Sequence, residues 1–505
     1  MDERVNADPA HLPDDPAVLK GVVTQLLELT QEQRRRIGEL EHQVAQLRRL
    51  HFGHKSERLV PDQLTLAFAG RAFGAELPPP CPTSAMEPQS RPGNGHGRAP
   101  LPKHLRRIQV VHDLAAGDKR CAECGGTLVE FSQATCEQLE YTPASLVVVE
   151  HMRPKYACRA CQGNVVVAPP PPAPIEKGLP GPGLLAYVAV AKYDDHLPLY
   201  RQQEMFRRQG VEIARSTLGD WVAATADLLA PVVEVMAKDL LASKVIHTDD
   251  TPVPVQDETR HHTRQGRLWV YLGDASHPHV VYRFSPNREQ RWAQEFLKNF
   301  EGHLQADAYT GYDALYTTGR VVEVGCWAHA RRRFFDAQIS DAARAVTALG
   351  FIRRLYDVEE AAANVSAAER RSLRQDHARP VLGAFGTWLS DEGGSVLSQS
   401  PMGDAIGYVR RQWGALNRYL EDGDLAIDNN AAERSLRSVA IGRKNWQFCG
   451  SDEGGHRAAV LYSLIESCKR ASVEPFAFLR DVLDRVSTHP AKAIERLMPC
   501  RWKPR

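Results

Sequence analysis

The sequence predicts a multidomain protein of the α+β class, and three observations support that class. At 505 residues the chain is too long for one ordinary hydrophobic core. Two stretches rich in proline and glycine, residues 61–100 and 169–183, are interpreted as linkers between folded segments. Short β-rich runs are concentrated between residues 244 and 325, whereas helical patterns dominate on either side of them.

The composition is that of a globular protein, with 43% hydrophobic and 25% charged residues. No apolar run is long enough to span a bilayer and no signal-peptide pattern opens the chain, so we expect a cytoplasmic protein without a membrane partner. The formal net charge of +1 neither favours nor excludes nucleic acid, and single basic clusters are usually solvated faces. The basic clusters are Arg34-Arg35-Arg36, Arg106-Arg107, Arg331-Arg332-Arg333, Arg443-Lys444 and the C-terminal segment 501–505.

The N-terminal arm carries a heptad pattern. Residues 1–16 are polar and proline-rich, which predicts disorder, and Asp15 followed by Pro16 is typical of a helix start. Mostly apolar residues then alternate at spacings of four and three within residues 17–60, with a polar pair in the middle. A helix packed on the chain's own core is the alternative, but the polar surroundings favour a coiled coil that forms a homo-oligomer. The seam residues are Leu19, Val23, Leu26, Thr30, Gln33, Ile37, Leu40, Val44 and Leu47.

Residues 101–168 are predicted to form a small zinc-binding domain. Four cysteines fall into two Cys-x-x-Cys pairs, which bind a structural Zn²⁺ tetrahedrally in a site closed to substrate. β-rich stretches at 127–129 and 146–149 suit a zinc ribbon, and two unrelated pairs are the weaker interpretation because so small a domain has little core. The predicted zinc ligands are Cys121, Cys124, Cys158 and Cys161. The remaining cysteines show no ligand spacing and are interpreted as ordinary thiols: Cys81, Cys136, Cys326, Cys449, Cys468 and Cys500.

Residues 184–238 are predicted to be helical. A helix over residues 199–208 is followed by a turn at Gly210 and by a second helix for which Ser216 is a candidate N-cap. These lengths suit a helix-turn-helix whose second helix enters the major groove of DNA. A plain helical hairpin fits the same pattern, so this segment alone leaves both interpretations open.

Residues 239–448 are predicted to form the main α/β domain. Three β-rich runs indicate an antiparallel meander, and a helix, a strand, a second helix and a fifth strand follow. That order is the order of a ribonuclease-H-like fold, here interrupted by a helical insertion at 336–425 and followed by a helical segment at 449–505. The five runs are residues 245–247, 267–272, 280–284, 303–307 and 321–325.

Three carboxylates occupy positions where such a fold brings side chains together. Asp249 and Asp307 lie at or near the ends of β-rich runs on neighbouring strands, and Glu433 lies in the pattern of a later helix. Carboxylates are the ligands that Mg²⁺ and Mn²⁺ prefer. Two such ions about 3.5–4 Å apart stabilise the attacking and leaving oxygens of a phosphodiester displacement. The pattern therefore predicts a polynucleotidyl transferase with two Mg²⁺ (or Mn²⁺) ions.

Each carboxylate also has a purely structural interpretation. Asp249 or Asp250 would end a strand, and Asp307 would cap the turn that follows. Glu433 would pair with Asn430 in a capping box. For each carboxylate taken alone, the structural interpretation is better than the metal-site interpretation. For the three together, in this order and on these elements, the metal-site interpretation is better. Since Asp249 and Asp250 point to opposite faces of a strand, only one can face the metals, and the sequence does not choose between them.

Short motifs spread over nearly the whole chain carry a family resemblance. They are Phe52-Gly53-His54-Lys55-Ser56-Glu57, the paired Cys-x-x-Cys, Lys192-Tyr193, Leu197-Pro198-Leu199-Tyr200-Arg201, Asp249-Asp250-Thr251-Pro252, Ala306-Asp307-Ala308-Tyr309, Trp327-Ala328-His329-Ala330-Arg331-Arg332, Asp428-Asn429-Asn430-Ala431-Ala432-Glu433-Arg434 and Ile441-Gly442-Arg443-Lys444-Asn445-Trp446. With these motifs the chain resembles the insertion-sequence transposases of the IS66 group, and in particular their large TnpC-type subunit.

The resemblance implies a DDE-type DNA transposase, which cuts the ends of its element and joins the 3′ ends to target DNA. The family's first aspartate falls on Asp249, its second on Asp307 and its glutamate on Glu433. The family often has Asp-Glu-Thr where this chain has Asp249-Asp250-Thr251, which makes Asp250 a rival. The implied partners are DNA, both element ends and target, and two small accessory proteins encoded alongside, with the chain associated with the nucleoid when it is bound to DNA.

Basic residues near these motifs are candidates for contact with DNA. Arg331, Arg333, Arg443 and Lys444 are candidates for phosphate contacts, and His329 either positions a phosphate or is a structural histidine. Two rival functions stay open. A structure-selective nuclease would cut without joining strands, and a catalytically inactive zinc-dependent protein would bind specific DNA and leave its strands intact.

Overall fold

The computed structural model describes residues 15–52, 146–149, 155–156, 166–167, 172–175, 178–257, 259 and 262–504. The chain divides into two compact units, one of Pro82–Ala168 and one that combines Met1–Cys81 with Pro169–Arg505. In the described part of the chain, no helix is both long enough and apolar enough to cross a membrane.

The smaller unit contains a two-stranded antiparallel sheet. Strand β1 (Lys155–Tyr156) pairs with strand β2 (Val166–Val167). Residues 146–149, predicted as β-rich, are exposed and lie outside any strand. The four cysteines predicted to bind zinc lie outside the described residues, as do residues 1–14 and the linker 61–100.

The N-terminal helix α1 (Pro16–Phe52) begins where the sequence predicts. The carboxylate of Asp15 accepts a hydrogen bond of 2.9 Å from the backbone N–H of Ala17, which is the N-cap geometry, and Pro16 occupies the first helical position. Five apolar seam residues are exposed on this single chain, namely Val23, Leu26, Ile37, Leu40 and Val44. An exposed seam of this spacing presents surface that a second helix would bury.

Between residue 178 and the large sheet lie three helices: α2 (Pro182–Tyr193), α3 (Leu199–Arg208) and α4 (Arg215–Leu240). The turn between α3 and α4 contains Gly210, whose φ of +79° is in the region that glycine adopts without strain. The predicted N-cap at Ser216 is wrong, because α4 begins at Arg215 and its N-cap is Ala214, which lacks a capping side chain. Buried side chains of α2 and α4 belong to the same hydrophobic cluster as the sheet.

The large sheet has five strands in the order β5-β4-β3-β6-β7. Strands β3, β4 and β5 are antiparallel neighbours, whereas β6 is parallel to both β3 and β7. Two helices, α5 (Gln290–Leu297) and α6 (Asp313–Tyr316), connect β5 to β6 and β6 to β7. The strands are β3 (Val245–Val255), β4 (Arg264–Leu272), β5 (Val280–Ser285), β6 (Gly302–Gln305) and β7 (Val321–Val324).

Strand β3 runs well beyond the segment predicted, through two prolines. The carbonyl of Pro254 accepts a hydrogen bond of 2.8 Å from Cys449 N–H, and that of Pro252 accepts one from the Arg443 guanidinium, so both residues direct their backbone polar groups away from β4. On that side β6 pairs only with residues 245–247, so the N–H groups that proline lacks are not needed there. Asp249 therefore lies in the middle of a strand, and its interpretation as a strand end is wrong.

The edge strand β5 is covered by helix α14 (Asp452–Arg470). Ser463 Oγ accepts the Tyr282 N–H at 2.8 Å and Ser467 Oγ accepts the Val280 N–H at 2.9 Å, so two backbone donors of this edge are satisfied by the helix. The helix approaches closely because Gly455 lies directly against the ring of Phe284. A further helix, α15 (Pro475–Arg485), packs on α2.

Residues 327–427 contribute most of a second hydrophobic cluster, which also includes Val245 and Val324. The Trp327 indole N–H donates to the Leu416 carbonyl at 2.8 Å and fixes the start of this region. The helices are α7 (Trp327–Ala337), α8 (Ala342–Ala361), α9 (Ala367–Leu373), α10 (Arg379–Gly393), α11 (Pro401–Arg411) and α12 (Trp413–Asn417). The chain then returns to the sheet through α13 (Asn430–Trp446), which packs on β3 and β4.

Two adjacent glycines of α14 test the covered edge of the sheet. A methyl group on Gly455 would overlap the Phe284 ring, so we expect Gly455→Ala to destabilise the chain by about 1–3 kcal/mol, seen as a lower Tm. Gly454→Ala is the matched control, because a methyl group there meets Ser451 Oγ at 3.7 Å, an ordinary contact. We expect its Tm to be unchanged or slightly higher. Equal Tm values for the two variants would contradict the described packing of α14 on β5.

Candidate active site

The three predicted carboxylates come from three different elements of the fold. Asp249 lies in the middle of β3, and Asp307 lies two residues beyond the end of the neighbouring strand β6. Glu433 lies in the first turn of α13. The Asn430 side chain donates to Asp428 at 2.7 Å, so the predicted capping box between Asn430 and Glu433 is wrong.

Negative charge accumulates where these elements meet. Burial raises the pKa of the Asp249 carboxyl to about 7, and the charges of Asp307, Asp250 and Glu433 add to the rise. Burial also raises the pKa of Asp307, although the nearby side chains of His329 and Arg288 oppose that rise. Several acidic groups therefore repel one another in a partly buried place, where a cation would be stabilised.

Asp250, the rival of Asp249, is held by two arginines. Its side chain is 2% exposed, and its Oδ2 accepts from Arg267 at 2.9 Å while its Oδ1 accepts from Arg288 at 2.8 and 3.0 Å. The backbone N–H of Asp250 donates to Asp249 Oδ1 at 2.7 Å. Both oxygens of Asp250 thus serve ion pairs, whereas Asp249 is the carboxylate whose pKa responds to Asp307 and Glu433.

Arg288 lies beside these carboxylates, and the sequence analysis did not identify it. Its guanidinium stacks over the ring of Tyr309 at 4.2 Å and lies 3.8 Å from Asp307, in addition to its bonds to Asp250. A lone arginine in the loop after β5 has no spacing that would single it out. Only the contact with Asp250 and Tyr309 reveals its place.

Asn429 joins three segments of the site and is fully buried. Its amide donates to the Thr248 carbonyl on β3 at 2.8 Å, and its Oδ1 accepts from His247 Nδ1 at 3.2 Å. Its backbone N–H donates to Cys326 Sγ, just before α7, at 3.2 Å. Burial lowers the pKa of His247 to about 4, so near neutral pH the imidazole is uncharged and Nδ1–H is the donor.

His329 lies near Glu433. Its Nδ1 is 3.7 Å from Glu433 Oε1. Among the described residues, one trio of potential metal ligands has all its donor atoms within 4.8 Å of one another, and it consists of Cys326, His329 and Glu433. Asp249, Asp307 and Glu433 do not meet this distance criterion as a trio. The interpretation of Cys326 as an ordinary thiol missed its Cys-x-x-His spacing to His329.

The four basic residues proposed to contact phosphates have different environments. Arg443 donates to Thr251 Oγ1 at 2.8 Å and to the Pro252 carbonyl, and so holds α13 against β3. Arg333 stacks over Tyr408 at 4.2 Å, and Arg331 lies 5.8 Å from the centre of the Phe335 ring. The side chain of Lys444 is exposed in the last turn of α13. Lys444 and Arg333 are the two of this set with exposed side chains.

The oxygen donors of the three carboxylates fit a hard divalent cation. Mg²⁺ and Mn²⁺ take carboxylate oxygens, and their charge would stabilise the ionised forms of Asp249 and Asp307, whose pKa values are raised chiefly by burial. Asp249, Asp307 and Glu433 would hold such ions, while Arg267 and Arg288 already balance Asp250.

Comparison with known proteins identifies the family of the chain. The model "Transposase IS66 family" matches residues 177–457, and "zinc-finger binding domain of transposase IS66" matches residues 118–162. Residues 463–500 match "IS66 C-terminal element" and residues 39–110 match "Transposase C of IS166 homeodomain". The chain is therefore a transposase with DNA-binding and zinc-finger domains, and DNA is its partner. It belongs to the IS66 transposase family, as the motifs indicated.

Full-length relatives occur in Sinorhizobium fredii. The protein named "Uncharacterized protein y4jD" is 33% identical over 504 residues, which cover 95% of this chain and 97% of the relative. "Uncharacterized protein y4hP" is also 33% identical, over 92% of this chain and 88% of its own length. "Uncharacterized protein y4qI" is 33% identical over 95% of this chain and 92% of its own length.

The raised pKa of Asp249 predicts a pH-dependent affinity for Mn²⁺. Protons compete with the cation below the pKa of about 7, so affinity falls as the pH falls through 7. We expect binding about tenfold weaker at pH 6 than at pH 8, measured from the signal of free Mn²⁺ in electron paramagnetic resonance.

Two variants serve as controls for this titration. Asp249→Asn should weaken binding at both pH values and remove the difference between them. Asp313→Asn, a change to an exposed carboxylate in α6, should behave as the parent. The same Mn²⁺ affinity for the parent at pH 6 and pH 8 would contradict the assignment of Asp249.

Proposed function

We propose that this protein is a DDE-type DNA transposase that cuts the ends of its element and joins the 3′ ends to target DNA. In this proposal Asp249, Asp307 and Glu433 hold two Mg²⁺ or Mn²⁺ ions on a ribonuclease-H-like core. The observation that carries it is the electrostatic coupling of carboxylates from β3, from the end of β6 and from α13. Membership of the family supports the same reading.

The order of the strands supports the proposed core. Three antiparallel strands followed by two parallel ones, with helices between, is the order that the sequence predicted for a ribonuclease-H-like fold. Residues 327–427 stand between β7 and α13, the position predicted for the helical insertion. After this long helical region, Glu433 still lies near β3, because α13 packs on β3.

The side chains around the carboxylates have separate tasks in this proposal. Divalent ions, when bound, would activate water or a 3′-hydroxyl for attack on a phosphodiester. Arg267 and Arg288 neutralise Asp250, so that the pocket is not overloaded with negative charge when DNA approaches. Arg288 and His329 present cationic or hydrogen-bonding groups beside Asp307 and Glu433, where a phosphate would be positioned.

The remaining segments supply recognition and assembly in this proposal. The matched zinc-finger region contains Cys121, Cys124, Cys158 and Cys161, which we assign as ligands of one structural Zn²⁺. Helices α3 and α4 and their glycine turn are candidates for reading element ends, with Arg215 and Ser216 exposed at the start of α4. The exposed seam of α1 is proposed to pair with a second copy of the chain.

Conservative substitutions of two carboxylates test the proposed chemistry. We expect Asp307→Asn and Glu433→Gln each to lower transposition by roughly 10³-fold or more, because about 4 kcal/mol of transition-state stabilisation is lost. The measurement is an in-cell mobility assay with the chain's own element ends and neighbouring genes. Terminal-DNA binding by each variant shows that it is folded.

Asp313→Asn is the matched control, since this exposed carboxylate follows Asp307 by six residues and lies outside the site. It should transpose as the parent does. Parental activity in the Asp307→Asn and Glu433→Gln variants would refute the assignment. Cleaved ends without joined product from the parent would instead indicate a nuclease.

Charged substitutions on α1 test the proposed coiled coil. Leu26→Asp combined with Leu40→Asp places charges on the seam, so we expect the mass in light scattering to fall from a multiple of 56.2 kDa to a single chain. Leu27→Asp combined with Leu29→Asp is the control, because these leucines are equally exposed but lie off the seam. An unchanged mass in the seam variant, or a monomeric parent, would contradict the proposal.

A further inference from the structure

Cys326 and His329 bracket the start of α7 with the spacing Cys-x-x-His. Cys326 is the N-cap residue of the helix and is fully buried, and His329 follows in its first turn. This spacing places the thiol and the imidazole on the same end of the helix. Glu433 reaches them from the first turn of α13, so two separate elements converge there.

The donor atoms of these three residues are close enough to share one ion. Cys326 Sγ, a ring nitrogen of His329 and a carboxylate oxygen of Glu433 all lie within 4.8 Å of one another. Donors bound to one tetrahedral Zn²⁺, at about 2.0–2.3 Å from the metal, lie roughly 3.3–3.8 Å apart. From a separation of 4.8 Å the donors would need to approach one another by at most about 1–1.5 Å, which side-chain movements of His329 and Glu433 can supply.

One ring nitrogen of His329 lacks a hydrogen-bond partner among the described residues. Its Nδ1 is buried and has no hydrogen-bond partner among the described residues, and Glu433 Oε1, at 3.7 Å, is too far for one. A buried imidazole nitrogen normally finds a partner. A metal ion between His329 and Glu433 would supply it.

The mixture of donors selects the class of cation. One sulfur, one nitrogen and one oxygen suit Zn²⁺, Co²⁺ or Cd²⁺, whereas Mg²⁺ does not favour a thiolate. Burial raises the pKa of the Cys326 thiol to about 12, but a coordinating divalent metal deprotonates a thiol outright. The Asn429 N–H, 3.2 Å from Sγ, would stabilise the resulting thiolate.

We propose that Cys326, His329 and Glu433 form a second metal site, which binds a thiophilic divalent cation of the Zn²⁺ class. It is distinct from the four-cysteine site predicted in residues 101–168, because it has three protein ligands and an open position. A consequence rests on the proposed function: a cation held here withdraws Glu433 from the pair of catalytic ions, so Zn²⁺ inhibits transposition.

Titration of the full-length chain with Co²⁺ tests the site directly. With the four-cysteine site already filled with Zn²⁺, we expect one further equivalent of Co²⁺ to add a thiolate-to-cobalt charge-transfer band, and Cys326→Ser to abolish this added band. Cys468→Ser is the matched control, because Cys468 is equally buried, on α14, and should leave the band unchanged. His329→Gln should weaken Co²⁺ binding at least tenfold. The variant should still fold, because the side chain of His329 is partly exposed.

An added band that persists in Cys326→Ser, or a Zn²⁺-filled parent that gains no band with Co²⁺, overturns the proposed site. Strand-transfer assays in Mg²⁺ with added Zn²⁺ then test the consequence, each protein being normalised to its own rate without Zn²⁺. We expect Cys326→Ser to need at least tenfold more Zn²⁺ for half inhibition. A Co²⁺ band without inhibition by Zn²⁺ would support the site and contradict the catalytic role of Glu433.

Discussion

The buried side chain of Asn429 is the interaction on which the geometry of the site depends. Its amide is bonded to the backbone of β3 immediately before Asp249, and its own backbone is bonded to the cysteine that precedes α7. Four residues later the same segment presents Glu433. A buried amide that loses its partners costs about 1–3 kcal/mol. The bonds of Asn429 therefore keep the start of α13 in a fixed position relative to β3 and to the start of α7. The long helical region between β7 and α13 can therefore intervene without displacing the glutamate.

Charge is distributed around that anchor in two ways. Asp250 is neutralised within the protein by Arg267 and Arg288, whereas Asp249 and Asp307 share their surroundings with other carboxylates and have raised pKa values. The second arrangement is costly without a cation and favourable with one. Asp249 and Asp250 lie on opposite faces of β3. Asp250 is thus a structural carboxylate, whereas Asp249 is suited to metal binding.

Much of this arrangement was predictable from the sequence, for physical reasons. Alternating β-rich runs predicted all five strands of the sheet, and the Asp15-Pro16 pair predicted the start of α1. The extension of β3 through Pro252 and Pro254 was not predictable, because it depends on Arg443 and Cys449, which are distant in sequence. Arg288 lacks a periodic signal, and the choice between Asp249 and Asp250 needs the arginines that contact one of them. The proximity of Cys326 to His329 and Glu433 was not predicted, because the cysteines were compared with one another and not with His329.

The most direct test of the account is a crystal structure of the chain with Mn²⁺ and an element-end duplex, with the metal located by its anomalous scattering. We expect Mn²⁺ peaks bound by carboxylate oxygens of Asp249, Asp307 and Glu433, with Asp250 still paired to Arg267. Peaks bound by Asp250, or none near Asp307 although DNA is in place, would contradict it.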